Sequence, residues 1–165
     1  DSGNDHTDTL GVQCCADTRH LLIDPRCSFY GTDDRTLAKQ RWWHNCPSFG
    51  PTDGTKSDPQ LLHFSTTENL DYSVGRLRLN GSIITRHVFF VDKEFFVVWY
   101  EFSNMPAVEV WENYHFGFNP SQLELIDSGI AVKTTLPDGT NLLFRICMSG
   151  CTAETETVKK CLMYG

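Results

Sequence analysis

Residues 83–102 read IITRHVFFVDKEFFVVWYEF, and this stretch decides the fold. Its two halves are rich in β-branched and aromatic residues, which favour strands. The polar pair Asp92-Lys93 interrupts the apolar sequence and has the length of a tight turn. The stretch therefore predicts one long β-hairpin with arms at about 83–91 and 94–102.

Similar short apolar runs recur on both sides of this hairpin, and helical periodicity is weak throughout the chain. Further strands are predicted at residues 60–65, 71–79, 108–118, 129–136 and 140–148. Pro137-Asp138-Gly139 predicts a turn between the last two, and residues 45–59 have a loop composition. Short helical turns are expected only near residues 34–42 and 153–161. Closely spaced strands with few helices predict an all-β, antiparallel β-sandwich that forms one domain over residues 1–165.

The composition limits the possible partners. The 165-residue chain carries a formal net charge of -7, which disfavours nucleic acid and anionic membranes as partners. No apolar stretch is long enough to span a membrane as a helix. A strongly sulfated glycan would need a local basic patch, and the best candidates for such a patch are Arg76, Arg78 and Arg86.

The cysteines predict a secreted, disulfide-bonded protein. Seven cysteines form an N-terminal group (Cys14, Cys15, Cys27 and Cys46) and a C-terminal group (Cys147, Cys151 and Cys161). The odd number leaves one thiol free or paired to another chain, which would permit a disulfide-linked oligomer. The alternative is a cytosolic protein with buried thiols. Asn80-Gly81-Ser82 is a glycosylation sequon that fits secretion, and the polar first residues fit a processed N-terminus.

Two histidines and an aspartate form a candidate metal site. His6, Asp24 and His44 offer imidazole nitrogens and a carboxylate oxygen, which are ligands that zinc accepts. Manganese or calcium are the alternatives to zinc. Beside His44, Trp42 and Trp43 could stack on a sugar, although large aromatic residues in sandwiches usually pack in the core.

The surrounding sequence resembles the β-sandwich domain of the heparinase II/III-like polysaccharide lyases. The similarity runs from His6 to about Phe144 and is carried by the segments around the three ligands, by residues 75–98 and by residues 113–116. The segments around the ligands are His6-Thr7-Asp8-Thr9-Leu10, Leu21-Leu22-Ile23-Asp24-Pro25 and Trp43-His44-Asn45. The resemblance implies a divalent metal, usually zinc, held by His6, Asp24 and His44.

The same resemblance indicates that the active site of the family is incomplete here. Such enzymes cleave uronic-acid polysaccharides by β-elimination, which needs a base, an acid and neutralisation of the carboxylate. The family takes a tyrosine and an asparagine from a helical toroid, and a histidine two residues before the first metal ligand. Asn4 occupies that last position in this chain and cannot transfer a proton. We therefore expect no lyase activity from this chain alone.

Three functions follow as expectations. The first is a secreted, metal-binding β-sandwich protein that acts as an extracellular binding or structural protein and forms assemblies. The second is a glycan-binding module, which would use Trp42, Trp43, Arg76, Arg78 and Arg86. The third is the metal-bearing chain of a processed polysaccharide lyase. The expected partners are accordingly a polysaccharide or another protein chain.

Overall fold

The computed structural model describes residues 7–24, 39–49, 57–105, 109–117, 120–137, 139–148, 150–151 and 153–154. These residues form eleven strands, all paired in antiparallel fashion. The strands are β1 (Cys14–Ala16), β2 (Arg19–Leu22), β3 (Pro47–Ser48), β4 (Asp58–Thr66), β5 (Leu70–Leu79), β6 (Ser82–Val91), β7 (Phe95–Ser103), β8 (Trp111–Glu112), β9 (Leu123–Ile126), β10 (Ala131–Thr134) and β11 (Leu143–Arg145). Short 3₁₀ turns span Arg41–Trp43, Pro120–Gln122 and Asp127–Gly129. The all-β, antiparallel prediction is confirmed.

The predicted hairpin is the centre of a four-stranded sheet with the order β4-β5-β6-β7. Strands β6 and β7 pair from Ile83↔Ser103 to Val91↔Phe95, so the predicted arms are correct to within about one residue. Asp92 and Lys93 both have positive φ, 51° and 58°, as a type I′ turn requires. Asn80 and Gly81 make the same kind of turn between β5 and β6, with φ of 50° and 82°.

Three smaller sheets complete the described fold. They pair β1 with β2, β3 with β8, and β9, β10 and β11 in the order β11-β10-β9. Of the described residues in the strand predicted at 108–118, only Trp111–Glu112 pairs in a ladder, and Phe116 forms an isolated bridge with Leu22. The loop predicted at 45–59 contains β3 and the start of β4. Among the described residues, no helix has the length and apolar character needed to cross a membrane.

The core lies on one face of the four-stranded sheet. Leu77, Leu79 and Ile84 are fully buried there, and Leu10, Phe49 and Tyr100 pack against them. Gly75 allows the N-terminal segment to approach the sheet, because a Cβ at this position would overlap Leu10 Cδ2. Residues 7–12 and 44–49 therefore pack against this face of the sheet.

The described cysteines do not form the expected disulfides. Five of them are free thiols in the structure, namely Cys14, Cys15, Cys46, Cys147 and Cys151. Cys27 and Cys161 lie outside the described residues. Cys46 is fully buried, and its thiol donates to the Arg41 carbonyl at 3.2 Å. Burial raises the pKa of Cys46 to about 12, so this residue behaves as a buried apolar side chain and not as a disulfide partner.

Candidate metal centre

Three segments that are distant in sequence meet beside the four-stranded sheet. Asp24 follows strand β2, which is anchored by the buried side chains of Leu21 and Leu22. His44 follows the 3₁₀ turn Arg41–Trp43, and its backbone N–H donates to the Arg41 carbonyl at 3.1 Å. Asp8 lies in the N-terminal segment, where its carbonyl accepts from Gly11 N–H at 2.8 Å.

These segments bring two carboxylates and one imidazole together. One ligand atom from each of Asp8, Asp24 and His44 lies within 4.8 Å of the other two. His44 Nδ1 is 3.1 Å from Asp24 Oδ1 and 3.2 Å from Oδ2. His44 is buried, Asp24 is half-buried and Asp8 is exposed, so the cluster opens to solvent on the Asp8 side.

The sequence predicted two of these three groups. Asp24 and His44 come together as expected, whereas His6 lies outside the described residues. Asp8 was missed, although it lies two residues after His6 in the quoted segment. Residues at i and i+2 share a side in an extended segment, and this periodicity could have identified Asp8 as a further ligand.

Asn45 joins the segments that carry the cluster. Its Nδ2 donates to the Val12 carbonyl at 2.7 Å and to the Ile23 carbonyl at 2.9 Å. Its Oδ1 accepts from His115 N–H at 2.6 Å. Asn45 is 2% exposed, so water cannot easily replace these bonds. Since Ile23 precedes Asp24 and Asn45 follows His44, this one side chain fixes the spacing of both candidate ligands.

Arg86 reinforces the same junction from the four-stranded sheet. Its Nη1 donates to the Leu10 carbonyl and, at 3.3 Å, to the Asn45 carbonyl. Its Nη2 forms an ion pair of 2.6 Å with Glu112 Oε1. Burial raises the pKa of Glu112, and the charge of Arg86 opposes that shift.

The burial of Arg86 changes the expected basic patch. Arg86 is 2% exposed and lies on the core face of the sheet with Ile84, so it is not part of a surface patch. Arg76 and Arg78 alternate with the buried Leu77 and therefore share the opposite face. Arg78 is exposed and Arg76 is half-buried.

His115 lies next to the cluster and holds the 3₁₀ turn in place. Its Nε2 donates to the Trp42 carbonyl at 3.1 Å. Burial lowers the pKa of His115, which therefore stays neutral near pH 7. Together with the bond from its N–H to Asn45, this contact links His115 to the residues on both sides of His44.

The two tryptophans do not form a flat platform. Trp43 is 8% exposed, and its ring meets that of Trp42 at 86° with centroids 5.2 Å apart. Trp43 therefore packs inside the protein, while Trp42 is half-buried and donates from Nε1 to Gln40 Oε1. Asn80, the expected glycosylation site, is exposed at the turn between β5 and β6.

The cluster has the chemistry of a divalent-cation site. Carboxylate oxygens and an imidazole nitrogen are ligands that a divalent ion takes, and its charge would offset that of the carboxylates. Zinc and manganese both accept this mixture of oxygen and nitrogen ligands. Without a cation, the two carboxylates would repel each other at this separation.

Solved structures of similar fold support the resemblance seen in the sequence. No protein-family model matches the chain, and no curated protein matches it by sequence. A mutant of the heparan sulfate lyase HepC from Pedobacter heparinus is similar over 78% of this chain, with 19% identity and a TM-score of 0.68. A second structure of HepC from Pedobacter heparinus has 18% identity and a TM-score of 0.67. The chain spans 21% of the length of either lyase. It therefore has the fold of a β domain of such a heparinase III-like lyase, as the sequence predicted.

Proposed function

We propose that this chain is a divalent-metal-binding β domain of the polysaccharide-lyase type that acts as an extracellular binding or assembly protein. The observation that carries this proposal is the convergence of Asp8, Asp24 and His44 within 4.8 Å. His6, the ligand implied by the resemblance, belongs to the same N-terminal segment as Asp8 and would add a further nitrogen. We expect zinc, with manganese as the principal alternative.

The proposed role of the metal is to hold three segments together. Asp8, Asp24 and His44 come from the N-terminal segment, the end of β2 and the turn before β3. A bound ion would join these segments and stabilise the folded chain by its binding free energy. The buried bonds of Asn45 and Arg86 position the segments in advance, which lowers the cost of forming the site.

The proposal does not include catalysis by this chain alone. These three candidate ligands provide charge and coordination, whereas β-elimination also requires a proton acceptor and a proton donor. Asn4 occupies the position at which the family has a catalytic histidine, and it lies outside the described residues. A metal-bearing role beside another chain that supplies those groups is the alternative for this site.

Metal analysis tests the proposal. We would measure the metal content of the purified protein by inductively coupled plasma mass spectrometry, for the natural chain and for His44→Ala. His63→Ala is the matched control, since His63 is exposed on β4 and bonds to Ser65. We expect about one zinc or manganese per chain, lost in His44→Ala and kept in His63→Ala. Absence of stoichiometric metal from the natural chain, or its retention in His44→Ala, contradicts the proposal.

A glycan-binding role is the second candidate. Arg76 and Arg78 point to the sheet face that also carries Trp99, which is 60% exposed. An exposed indole and two arginines on the same sheet face suit the apolar faces and the acidic groups of a charged sugar. We would compare binding of heparan sulfate to the natural chain and to Arg76→Ala/Arg78→Ala. Equal binding by both, or binding by neither, removes this candidate.

Secretion is part of the proposal and has its own test. Expression in a secreting eukaryotic host should add a glycan at Asn80, which is exposed in the turn before β6. The intact mass of the secreted protein should fall after enzymatic deglycosylation. The Asn80→Gln variant should lack that mass difference, and an unglycosylated natural chain would count against Asn80 as the site.

A further inference from the structure

Strand β7 is an edge strand that carries an unusual amount of exposed apolar surface. Its sequence is FFVVWYEFS, and Glu101 is its one charged residue. Within the described part of the chain, β7 pairs only with β6, so its other edge is unpaired. Exposed apolar side chains occur on both of its faces: Phe95 (52%), Phe96 (50%), Val97 (41%), Trp99 (60%) and Phe102 (39%). Long, apolar edges of this kind are templates for pairing with another chain.

The opposite edge of the same sheet is protected against such pairing. Strand β4 contains Asp58 and Pro59, and its ladder with β5 is interrupted by a bulge between Leu61 and His63. A proline, a charge and a bulge are three devices that prevent sheets from joining edge to edge. In the described sheet, β7 has neither a proline nor a bulge, and its one charged residue is Glu101. The contrast indicates that the β7 edge is an interaction surface.

We propose that β7 pairs in antiparallel fashion with β7 of a second copy of this chain, which would join two four-stranded sheets into one of eight strands. A two-fold pair centred on Val98 places Glu101 opposite Phe95 of the second copy. This pairing sets each Glu101 against an apolar residue and keeps the two carboxylates at opposite ends of the shared ladder. A parallel, in-register pair would instead place the two Glu101 side chains next to each other, which is unfavourable. The distribution of charge therefore favours the antiparallel pair of identical strands.

The available area supports a reversible dimer. With roughly 150–250 Å² for each aromatic side chain, the exposed fractions on β7 correspond to about 500 Å² of apolar surface per copy. Two copies then offer at most about 1,000 Å², so the interface reaches no further than the lower limit for a specific complex. We accordingly expect dimerisation with a dissociation constant between about 1 µM and about 100 µM. This inference is independent of the proposed metal site.

Sedimentation velocity tests the inference with the whole chain in a reducing buffer, which excludes dimers linked by disulfides. Between about 1 µM and about 500 µM, the natural chain should shift from monomer to dimer. Val97→Lys and Trp99→Lys each place a lysine in the proposed interface, close to its copy across the two-fold axis. Each should raise the dissociation constant at least about tenfold, because each lysine lies diagonally from its copy across the two-fold axis and apolar contact is lost. Leu61→Lys is the matched control, since Leu61 is 72% exposed on the other edge.

Hydrogen exchange supplies a readout that needs no variant. Backbone amides of residues 97–101 should exchange more slowly as the concentration rises, whereas amides of β4 should not change. A natural chain that stays monomeric at the highest concentration overturns the inference. A dimer that survives Val97→Lys and Trp99→Lys but is lost in Leu61→Lys also overturns it, because the other edge of the sheet would then form the contact.

Discussion

Replacing Asn45 by alanine should damage both the stability of the fold and the candidate metal centre. The substitution removes two bonds donated by Nδ2, to Val12 and Ile23, and one accepted by Oδ1 from His115. All three backbone groups lie at a junction where Asn45 itself is 2% exposed. The alanine methyl group cannot replace any of these bonds, and little room exists for water to do so.

The expected loss can be worked from the number of unsatisfied groups. Each buried polar group left without a partner costs about 1–3 kcal/mol, so three such groups should lower the free energy of unfolding by about 3–9 kcal/mol. This is a large fraction of the roughly 5–15 kcal/mol that stabilises a domain. The bonds also fix the backbone beside Asp24 and His44. Loss of such supporting bonds commonly weakens metal binding by about tenfold to about a hundredfold.

Two assays and one control separate these effects. Urea unfolding in the presence of a chelator gives the change in stability, and titration calorimetry with zinc or manganese gives the change in affinity. Asn141→Ala is the control, because Asn141 also makes three hydrogen bonds, to Thr134 and Leu136, but is exposed. We expect that control to lose about 1 kcal/mol and no metal affinity. If Asn45→Ala loses no more stability than the control and binds metal normally, the reasoning is refuted.

Three further predictions concern the buried junction and the sheet below it. Arg86→Met leaves the half-buried carboxylate of Glu112 and two backbone carbonyls without their cation, so urea unfolding should show a loss of about 3 kcal/mol. A loss below about 1 kcal/mol would contradict this pairing. Burial raises the pKa of Cys46 to about 12, so this thiol should resist alkylation at pH 8 while the exposed Cys15 reacts. Peptide mass spectrometry measures the labelling of each cysteine, and equal labelling would contradict the burial of Cys46. Gly75→Ala should displace Leu10 from the core and lower the free energy of unfolding by about 1–2 kcal/mol. An unchanged urea midpoint would contradict the close approach of Leu10 to Gly75.

The hairpin could be predicted because local chemistry alone determines it. Both arms consist of residues that suit a pleated surface, and the polar pair Asp92-Lys93 leaves only one place for the turn. The second turn, Asn80-Gly81, was read only as a glycosylation sequon. The same dipeptide is a strong signal for a type I′ turn, so this boundary was also available from the sequence.

The strand predicted at residues 108–118 failed for a different reason. Its apolar and aromatic residues have the right composition, but beyond Glu112 the backbone is satisfied mainly by groups outside a ladder. His115 N–H donates to the Asn45 side chain, and the His115 carbonyl accepts from Ile23 N–H at 2.9 Å. Bonds between residues so distant in sequence leave no local signal that could have revealed them.

The candidate ligands were easier to predict than the groups that support them. Asp24 and His44 carry side chains that bind metals, so their type alone identifies them. Arg86 was assigned to the surface because charged residues are rarely fully buried. Strand alternation did not correct this assignment, since both faces of β6 carry apolar residues: Ile84, Val88 and Phe90 on one face, Ile83 and Phe89 on the other. The pairing with Glu112 and the bonds to the Leu10 and Asn45 carbonyls explain how the interior tolerates the charge.

This arrangement gives a physical reason for the adjacent pair His44-Asn45. The imidazole of His44 faces Asp24, while the next side chain faces inward and holds the Val12 and Ile23 carbonyls. Ligand and support are consecutive residues, so a shift of either would move the other. Arg86 then binds the carbonyl of Asn45 itself, which ties the pair to the four-stranded sheet. Stability of the sheet and affinity for metal should therefore be coupled, and a metal that binds the folded chain should raise its unfolding midpoint more in the natural chain than in Asn45→Ala.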